Sequence, residues 1–490
     1  MSTDTRTTPA VATHPVATHP VATPPVALDR ARTLRTLTGA PLHLPGDPGY
    51  DDARTPWNLA VDQRPAAVAL PRDAAEVADV VRAAAAAGLR VAPQGTGHNA
   101  GPLGPLGDVV LLRTSLMRGV EIDATARRAR VEAGALWSDV VGTAAEHGLA
   151  ALHGSSPDVG VVGYTLGGGM GWYARTHGLA AHHVTAADLV LADGSTVHVD
   201  ADHEPDLLWA LRGGGGNVGV VVGLEFELFA IPDAYAGMLV WGWERAPEVL
   251  ERWVAWTADA PDAVTTSFRL MQIPPLPDIP EPFRGRRLVI VDGAVLGDDD
   301  AACADVIADL RGLAPEIDTF ARVPAASLVR LHLDPEGPTP AVADTSVLAE
   351  LPAAAQSMLL AVAGPGSTSG LTMVELRQLG GALGRPDAGG SALDHLDGAF
   401  VLFAGGLAAT PEMGAAMGHQ AADVVAALEP WANGRQYLNF AESRVDASTG
   451  YAPAAYRRLQ AVRASVDPTG RLLANHPVGT RDTRGDTGAR

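Results

Sequence analysis

The sequence predicts an α+β protein of two domains, and three observations carry that expectation. At 490 residues the chain exceeds what one hydrophobic core usually serves. Helical and strand periodicities alternate through its first half, and the composition shifts after Pro232. A hydrophobic fraction of 47% beside 19% charged residues describes a globular chain with a substantial core.

The elements follow in order. Residues 1–27, with a repeated VATHP, are proline-rich and of low complexity, and read as a disordered tail. His14 and His19 repeat within it, a weak pattern for a metal. The tail lacks the charged-then-apolar pattern of a secretory signal, and no apolar run is long enough to span a bilayer. A cytoplasmic protein without a membrane partner is expected. Order is expected from Leu28 and a first domain over 57–231. There DAAEVADVVRAAAAAG (73–88) reads as a helix capped by Asp73 and ended by Gly88. Strands follow at 89–94, 108–112 and 129–134, then a helix over 136–148. Residues 187–199 read as a hairpin turning on Asp193 and Gly194, and 219–229 as a strand. Beyond Pro232, the helical pattern of 247–260 and the strand pattern of 286–297 predict an α/β domain, 232–434, with helices on one sheet face. The last segment, 435–480, carries a polar and aromatic cluster and is expected to return to the first domain.

Composition excludes several functions. All 36 basic residues are arginine and the net charge is −20, so no clustered positive surface for nucleic acid is present. Cys303 is the single cysteine, which excludes an intramolecular disulfide and a cysteine zinc site; it sits in a helical pattern as a buried thiol. No metal site is expected.

Three segments look built for one ligand. PQGTGHNAG (93–101) is a strand-to-loop turn with His98 at its tip. GSSPDVGVVGYTLGGGMG (154–171) holds seven glycines among eighteen residues, interleaved with apolar rather than linker-like residues. WALRGGGGNVGVVVGLEFEL (209–228) runs four glycines and Asn217 into a strand. Such runs expose backbone N–H groups that hold phosphate without lysine. None follows G-x-G-x-x-G between a strand and a helix, as a Rossmann site requires, and a P-loop needs the lysine this chain lacks.

With YLNF (437–440) and DPTGRLLANHP (467–477), these motifs resemble the FAD-linked oxidases of the vanillyl alcohol oxidase or para-cresol methylhydroxylase (PCMH) type, nearest the berberine bridge enzyme-like branch. The resemblance covers nearly all of 57–480, although 232–430 contributes little. It implies a two-subdomain PCMH-type FAD-binding domain and a substrate domain whose antiparallel sheet roofs the flavin, with 370–381 and 398–406 as two of its strands. It also places the cofactor on particular residues. Gln94, Gly95, Thr96, Gly97, His98 and Asn99 form the first contact. Ser155, Ser156, Val159, Gly160, Gly163, Gly167, Gly168, Gly169 and Gly171 form the second. Gly219, Val220 and Val221 form the third, and Asn475 closes the set.

The resemblance further implies chemistry. His98 stands where the family links histidine covalently to the flavin; the alternative is a histidine packed on the cofactor without a bond. Ser156 occupies the position of a second, cysteine link, so attachment is expected through His98 alone. Gln94 replaces a frequent arginine, leaving backbone amides as pyrophosphate donors. Val159, also read as a buried strand valine, borders the face where oxygen attacks, and its small size implies an oxidase. Tyr437 is the candidate base, with Arg435 as the cation to lower its pKa; it is otherwise an aromatic packing residue. Asn439, two residues on along one strand face, is the second catalytic candidate. Met170 replaces a tyrosine of plant members, for which His153 could substitute. The expected function is oxidation of an alcohol, sugar or amine-type small molecule, with hydride passing to flavin N5 and O₂ reoxidising the flavin to give H₂O₂. Alternatives are a redox-neutral cyclase or isomerase, a dehydrogenase using another acceptor, and a flavin carrier without chemistry. Oligomeric state and substrate stay open.

Overall fold

The helix expected after Asp73 spans Ala74–Ala86, and its cap forms as the sequence requires: the Asp73 carboxylate accepts the Glu76 N–H at 2.8 Å. Gly88, with φ +67°, ends it in the left-handed region that glycine adopts without strain. In the computed structural model, which describes residues 25–479, this helix crosses between parallel strands of a four-stranded sheet. The sheet runs Leu42–His43, Ala67–Ala69, Val109–Arg113, Arg90–Gln94. Its first strand precedes residue 57, so the first domain starts earlier than the sequence suggested. A helix over Pro25–Leu37 also takes in the last residues of the expected tail. The rest of that tail, with His14 and His19, lies outside the described residues.

A second, antiparallel sheet of five strands follows, in the order Val120–Asp123, Arg128–Glu132, Val220–Glu227, Val184–Val190, Thr196–Val199. The hairpin on Gly194 is present, with φ +82° at that glycine. The two sheets are the two halves expected of the first domain.

Pro232 immediately precedes the strand Asp233–Gly242, which opens an antiparallel eight-stranded sheet. The expected strands of 370–381 and 398–406 pair centrally in it, as Met373–Gln378 and Phe400–Leu407. The helices Ala246–Asp259, Ala353–Ala363 and Pro411–Leu428 supply Trp253, Leu359 and Val424 to the core on one face. The other face looks onto the first domain, whose short helix Ala174–His177 meets it at Thr265. Side chains alternate across a strand, so Val374 and Leu376 join the helix-side core while Met373, Glu375 and Arg377 face the opposite way.

Residues 471–473 run beside the strand Arg90–Gln94. Leu473 donates its N–H to Val91 O at 2.8 Å, and the Val91 N–H reaches Arg471 O at 2.9 Å. Among the described residues, no helix is long and apolar enough to cross a membrane.

Candidate active site

The face of the large sheet and the glycine-rich segments of the first domain enclose a cavity of about 1030 Å³. That exceeds the roughly 300–1,000 Å³ of a usual small-molecule pocket, leaving room for an extended cofactor and a substrate together. Its floor is built from the three segments singled out in the sequence. The turn after Arg90–Gln94 contributes Gln94, Gly95, Thr96, Gly97, His98 and Asn99. Gly97 is required there, because it has φ +83° and a Cβ would press on Pro56 and Gln94. His98 stacks on Trp57 with centroids 4.0 Å apart, and its Nδ1 lies 2.7 Å from Thr96 Oγ1. Its Nε2 is buried without a hydrogen-bond partner, 3.6 Å from Asp158 Oδ1. Gln94 is held by the Gln63 amide at 2.9 Å.

The second segment lines the cavity through Ser155, Ser156, Val159, Gly160, Gly163 and Gly167. Val159 lies in a bend beside a short helix, Val161–Leu166, rather than in the strand expected for it. Gly168, Gly169 and Gly171 do not line the cavity as expected. They are glycine because neighbours crowd them: a Cβ would strike Tyr437 at Gly168, Tyr164 at Gly169, and the His153 carbonyl at Gly171. The third segment contributes Gly219 and Val221, while the side chain of Val220 turns into the core with Val190, away from the expected contact. Gly215, Gly216 and Asn217 line the floor in its place; the four-glycine run was the signal for them. Asn217 binds the C-terminal segment, accepting the Val478 N–H at 2.9 Å. That segment brings Asn475 into the lining, where its amide donates to Asn99 O.

Tyr437 and Asn439 meet at the cavity without sharing a strand, because residues 438–440 form a 3₁₀ turn. The Tyr437 oxygen accepts N–H donors from Gly169 at 3.0 Å, Met170 at 3.1 Å and Asn439 at 3.2 Å. Burial raises the phenol pKa, and these donors and the Arg377 charge oppose that rise. Arg435 is not the cation beside it, since its guanidinium is spent on Tyr451 O. His153 does not replace the missing tyrosine. It is packed between Trp137 and Tyr173 with Nδ1 on Gly154 O at 2.7 Å, and burial pushes its pKa down to about 4.

The roof carries residues that sequence reasoning missed. Arg269 is paired with Asp292, and Ser267 donates to the same carboxylate at 2.5 Å. His332 lies 2.9 Å from Asp292 Oδ2 and 3.3 Å from Glu375 Oε1. Arg377 holds Glu375 through Nε at 2.7 Å and spreads its guanidinium over the Phe440 ring at 4.9 Å. These residues come from separate strands and a loop, with no local motif to mark them. Glu442, also in the lining, has an unpartnered Oε2, and burial raises its pKa to about 7.

The floor fits FAD. It joins glycine-lined backbone, open space beyond Gly163, and buried polar atoms without partners at His98 Nε2 and Asn99 Oδ1. Every arginine that lines the cavity lies in the second domain, so a pyrophosphate would meet neutral backbone donors on the floor.

Comparison with known proteins agrees. Residues 65–200 match a family model described as an FAD binding domain. The chain is 36% identical over 208 residues to (R)-6-hydroxynicotine oxidase of Paenarthrobacter nicotinovorans, covering 42% of this chain and 44% of that protein. It is 39% identical over 188 residues to glucooligosaccharide oxidase of Sarocladium strictum, 38% of each chain. The chain thus spans less than half the length of these curated relatives. Among solved structures, 6-hydroxy-D-nicotine oxidase from Arthrobacter nicotinovorans superposes with a TM-score of 0.76 at 27% identity, over 90% of this chain and 98% of that one. A Physcomitrella patens BBE-like 1 structure has a TM-score of 0.78 at 20% identity, over 92% and 99%, a likeness of fold.

Proposed function

We propose that the chain, which is similar to FAD-linked oxidases of the vanillyl alcohol oxidase/PCMH type and shares the fold of a berberine bridge enzyme-like structure, is an oxidase of a small carbon–hydroxyl or carbon–amine substrate. The observation that carries this reading is the placement of Tyr437 and Asn439 on the same cavity as His98, Val159 and Asn475. FAD, when bound, supplies the two-electron acceptor. In net terms an alcohol and O₂ become a carbonyl compound and H₂O₂.

The chain's residues supply the rest. In its ionised form Tyr437 takes the substrate proton at its oxygen, where three N–H donors stabilise the phenolate against the burial that raises its pKa. The antiparallel roof and the floor exclude bulk water from that oxygen, which is buried. His98, pinned between Trp57 and Thr96, holds the cofactor through one covalent bond, and Ser156 offers no thiol for a second. Val159 leaves space for O₂ at the lining. The single cysteine suits a cytoplasmic setting.

Denatured protein, inspected for in-gel flavin fluorescence and by intact mass, tests the bond. Retained flavin at one FAD mass, lost in His98→Ala, supports it, and peroxide release on substrate addition supports the oxidase. A colourless denatured pellet sinks the covalent link. Flavin that is reduced by substrate but is inert to O₂ sinks the oxidase.

A further inference from the structure

The cavity has two chemically different ends. At the inner end, the Arg377 guanidinium lies over the Phe440 ring, with Nε taken by Glu375 and Nη2 by Ser155 at 3.5 Å, which leaves Nη1 without a hydrogen-bond partner among the described residues. The other wall there is the Tyr437 oxygen. At the outer end, the strand Val264–Gln272 runs past Met271 into a proline-rich segment that overhangs the opening. Met271, Ile273, Leu276, Ile279 and Phe283 line this end, and Leu407 joins them from the strand Phe400–Leu407, two places along the sheet. From Met271 through Phe283, Asp278 is the one polar side chain in the lining among the described residues. Leu276 is 51% exposed, an apolar side chain held at an opening without a protein partner to cover it.

This division selects a substrate. A sugar ring carries hydroxyls on every side, and each one moved out of water needs a partner. Along 271–283 the outer end offers only Asp278, and the Thr372 hydroxyl beside it already accepts the Leu407 N–H. An apolar body gains by covering Leu276 and its neighbours. At the inner end a free guanidinium donor suits a neutral hydroxyl oxygen and repels an ammonium group. Resting on the oxidase reading above, we propose that the substrate is an amphipathic carbinol: an aryl or alkyl body under the 273–283 overhang, with its oxidisable hydroxyl carbon at Tyr437 and Arg377.

The test uses the flavin-loaded enzyme. Phenylethanol, cinnamyl alcohol and octanol are compared with cellobiose and xylobiose, reading flavin bleaching without oxygen and peroxide with it. Binding of acetophenone, an unreactive ketone, is followed by calorimetry. The expected result is bleaching by the apolar carbinols and little by the sugars. Acetophenone should bind with a negative heat-capacity change. Leu276→Asp and Ile279→Asp should each raise KM for the carbinols about tenfold or more, with kcat nearly unchanged. Bleaching by the sugars with the carbinols inert overturns the substrate class and leaves the oxidase standing. Acetophenone and carbinols that neither bind nor bleach a flavin-loaded enzyme also overturn it. Carbinols that bleach the flavin without yielding peroxide support the substrate class while sinking the oxidase.

Discussion

The Asn439 carboxamide donates to the Tyr437 oxygen across 3.2 Å and to Tyr164 O at 2.9 Å, tying the turn at 438–440 to the helix Val161–Leu166 beneath it. A side chain from the C-terminal segment thereby sets the position of the Tyr437 hydroxyl at the cavity wall. The same hydroxyl closes the glycine run by accepting from Gly169 and Met170.

Tyr437→Phe removes the acceptor of all three N–H groups. Two buried backbone donors lose their partner, so stability falls by about 1–3 kcal/mol. If the phenol is the base, the rate of flavin reduction falls by roughly 10²–10⁴-fold, and its rise with alkaline pH disappears. Rapid-mixing flavin reduction across pH checks this. A variant that loses stability but keeps the parent rate and pH profile would leave Tyr437 a packing residue.

The glycines of 154–171 divide into two kinds, and alanine substitution separates them. At Gly167 a Cβ would overlap Asn439 Oδ1, and at Gly171 the His153 carbonyl, so both variants should fold poorly. At Gly163 a Cβ meets nothing within 4 Å, although the residue lines the cavity from within a helix. Gly163→Ala should stabilise the flavin-free protein by about 0.5–1 kcal/mol while reducing its flavin content. Thermal melts beside flavin absorbance read both effects. Full flavin occupancy in Gly163→Ala would place the cofactor elsewhere.

Those two kinds of glycine mark how far the sequence could be read. Helices with local signals, such as the Asp73 cap and Gly88 stop, appear where periodicity and capping put them. The cavity floor was legible because glycine is informative wherever backbone meets backbone or ligand, but that signal does not say which. Gly168 and Gly163 look alike in sequence, yet Gly168 has φ +123° and crowded neighbours while Gly163 is helical with nothing opposite it. Tyr437 and Asn439 were found through their motif, while their strand was wrong, because a turn also brings residues two apart together. The ionic roof was invisible. Arg269, Asp292, His332 and Glu375 are distant in the chain; the register of the large sheet aligns Arg269, Asp292 and Glu375, and a loop brings His332 to them.

Asp158 joins floor to roof. Its carboxylate accepts from Trp57 Nε1 at 2.7 Å, Ser156 Oγ at 2.8 Å and the Gly337 N–H at 2.8 Å. Burial favours its protonated form, but the nearby His98 imidazole and hydrogen bonds from Gly337, Trp57 and Ser156 outweigh that and hold its pKa well below the usual carboxylate range. The stabilisation is therefore present above a pH of about 4, the unfolded value, and is lost as pH falls toward the folded one. Asp158→Asn should cost about 1.5–3 kcal/mol at neutral pH, with the gap to the parent narrowing in acid. Released from Asp158, Trp57 no longer braces His98, so in-gel flavin fluorescence should weaken. An unchanged gap in melting temperature down to acid pH would count against this account.

His332 makes the opposite prediction on the alkaline side. Burial disfavours its imidazolium, as does Arg269, yet Asp292, Asp334 and Glu375 together raise its pKa from 6.5 to about 9. Arg377 faces the same cluster from the neighbouring strand and neutralises part of Glu375. A group raised in the folded state contributes stability that is complete below 6.5 and is lost as pH climbs through about 9. Chemical denaturation across that interval should show stability declining in the parent. In His332→Gln, which has no proton to lose, that decline should flatten while neutral-pH stability drops, because Asp292 and Glu375 keep their charge without the imidazolium. Parent stability that stays level from 6.5 to 9 would mean that His332 is neutral in the folded protein and that Arg269 and Arg377 alone balance the two carboxylates.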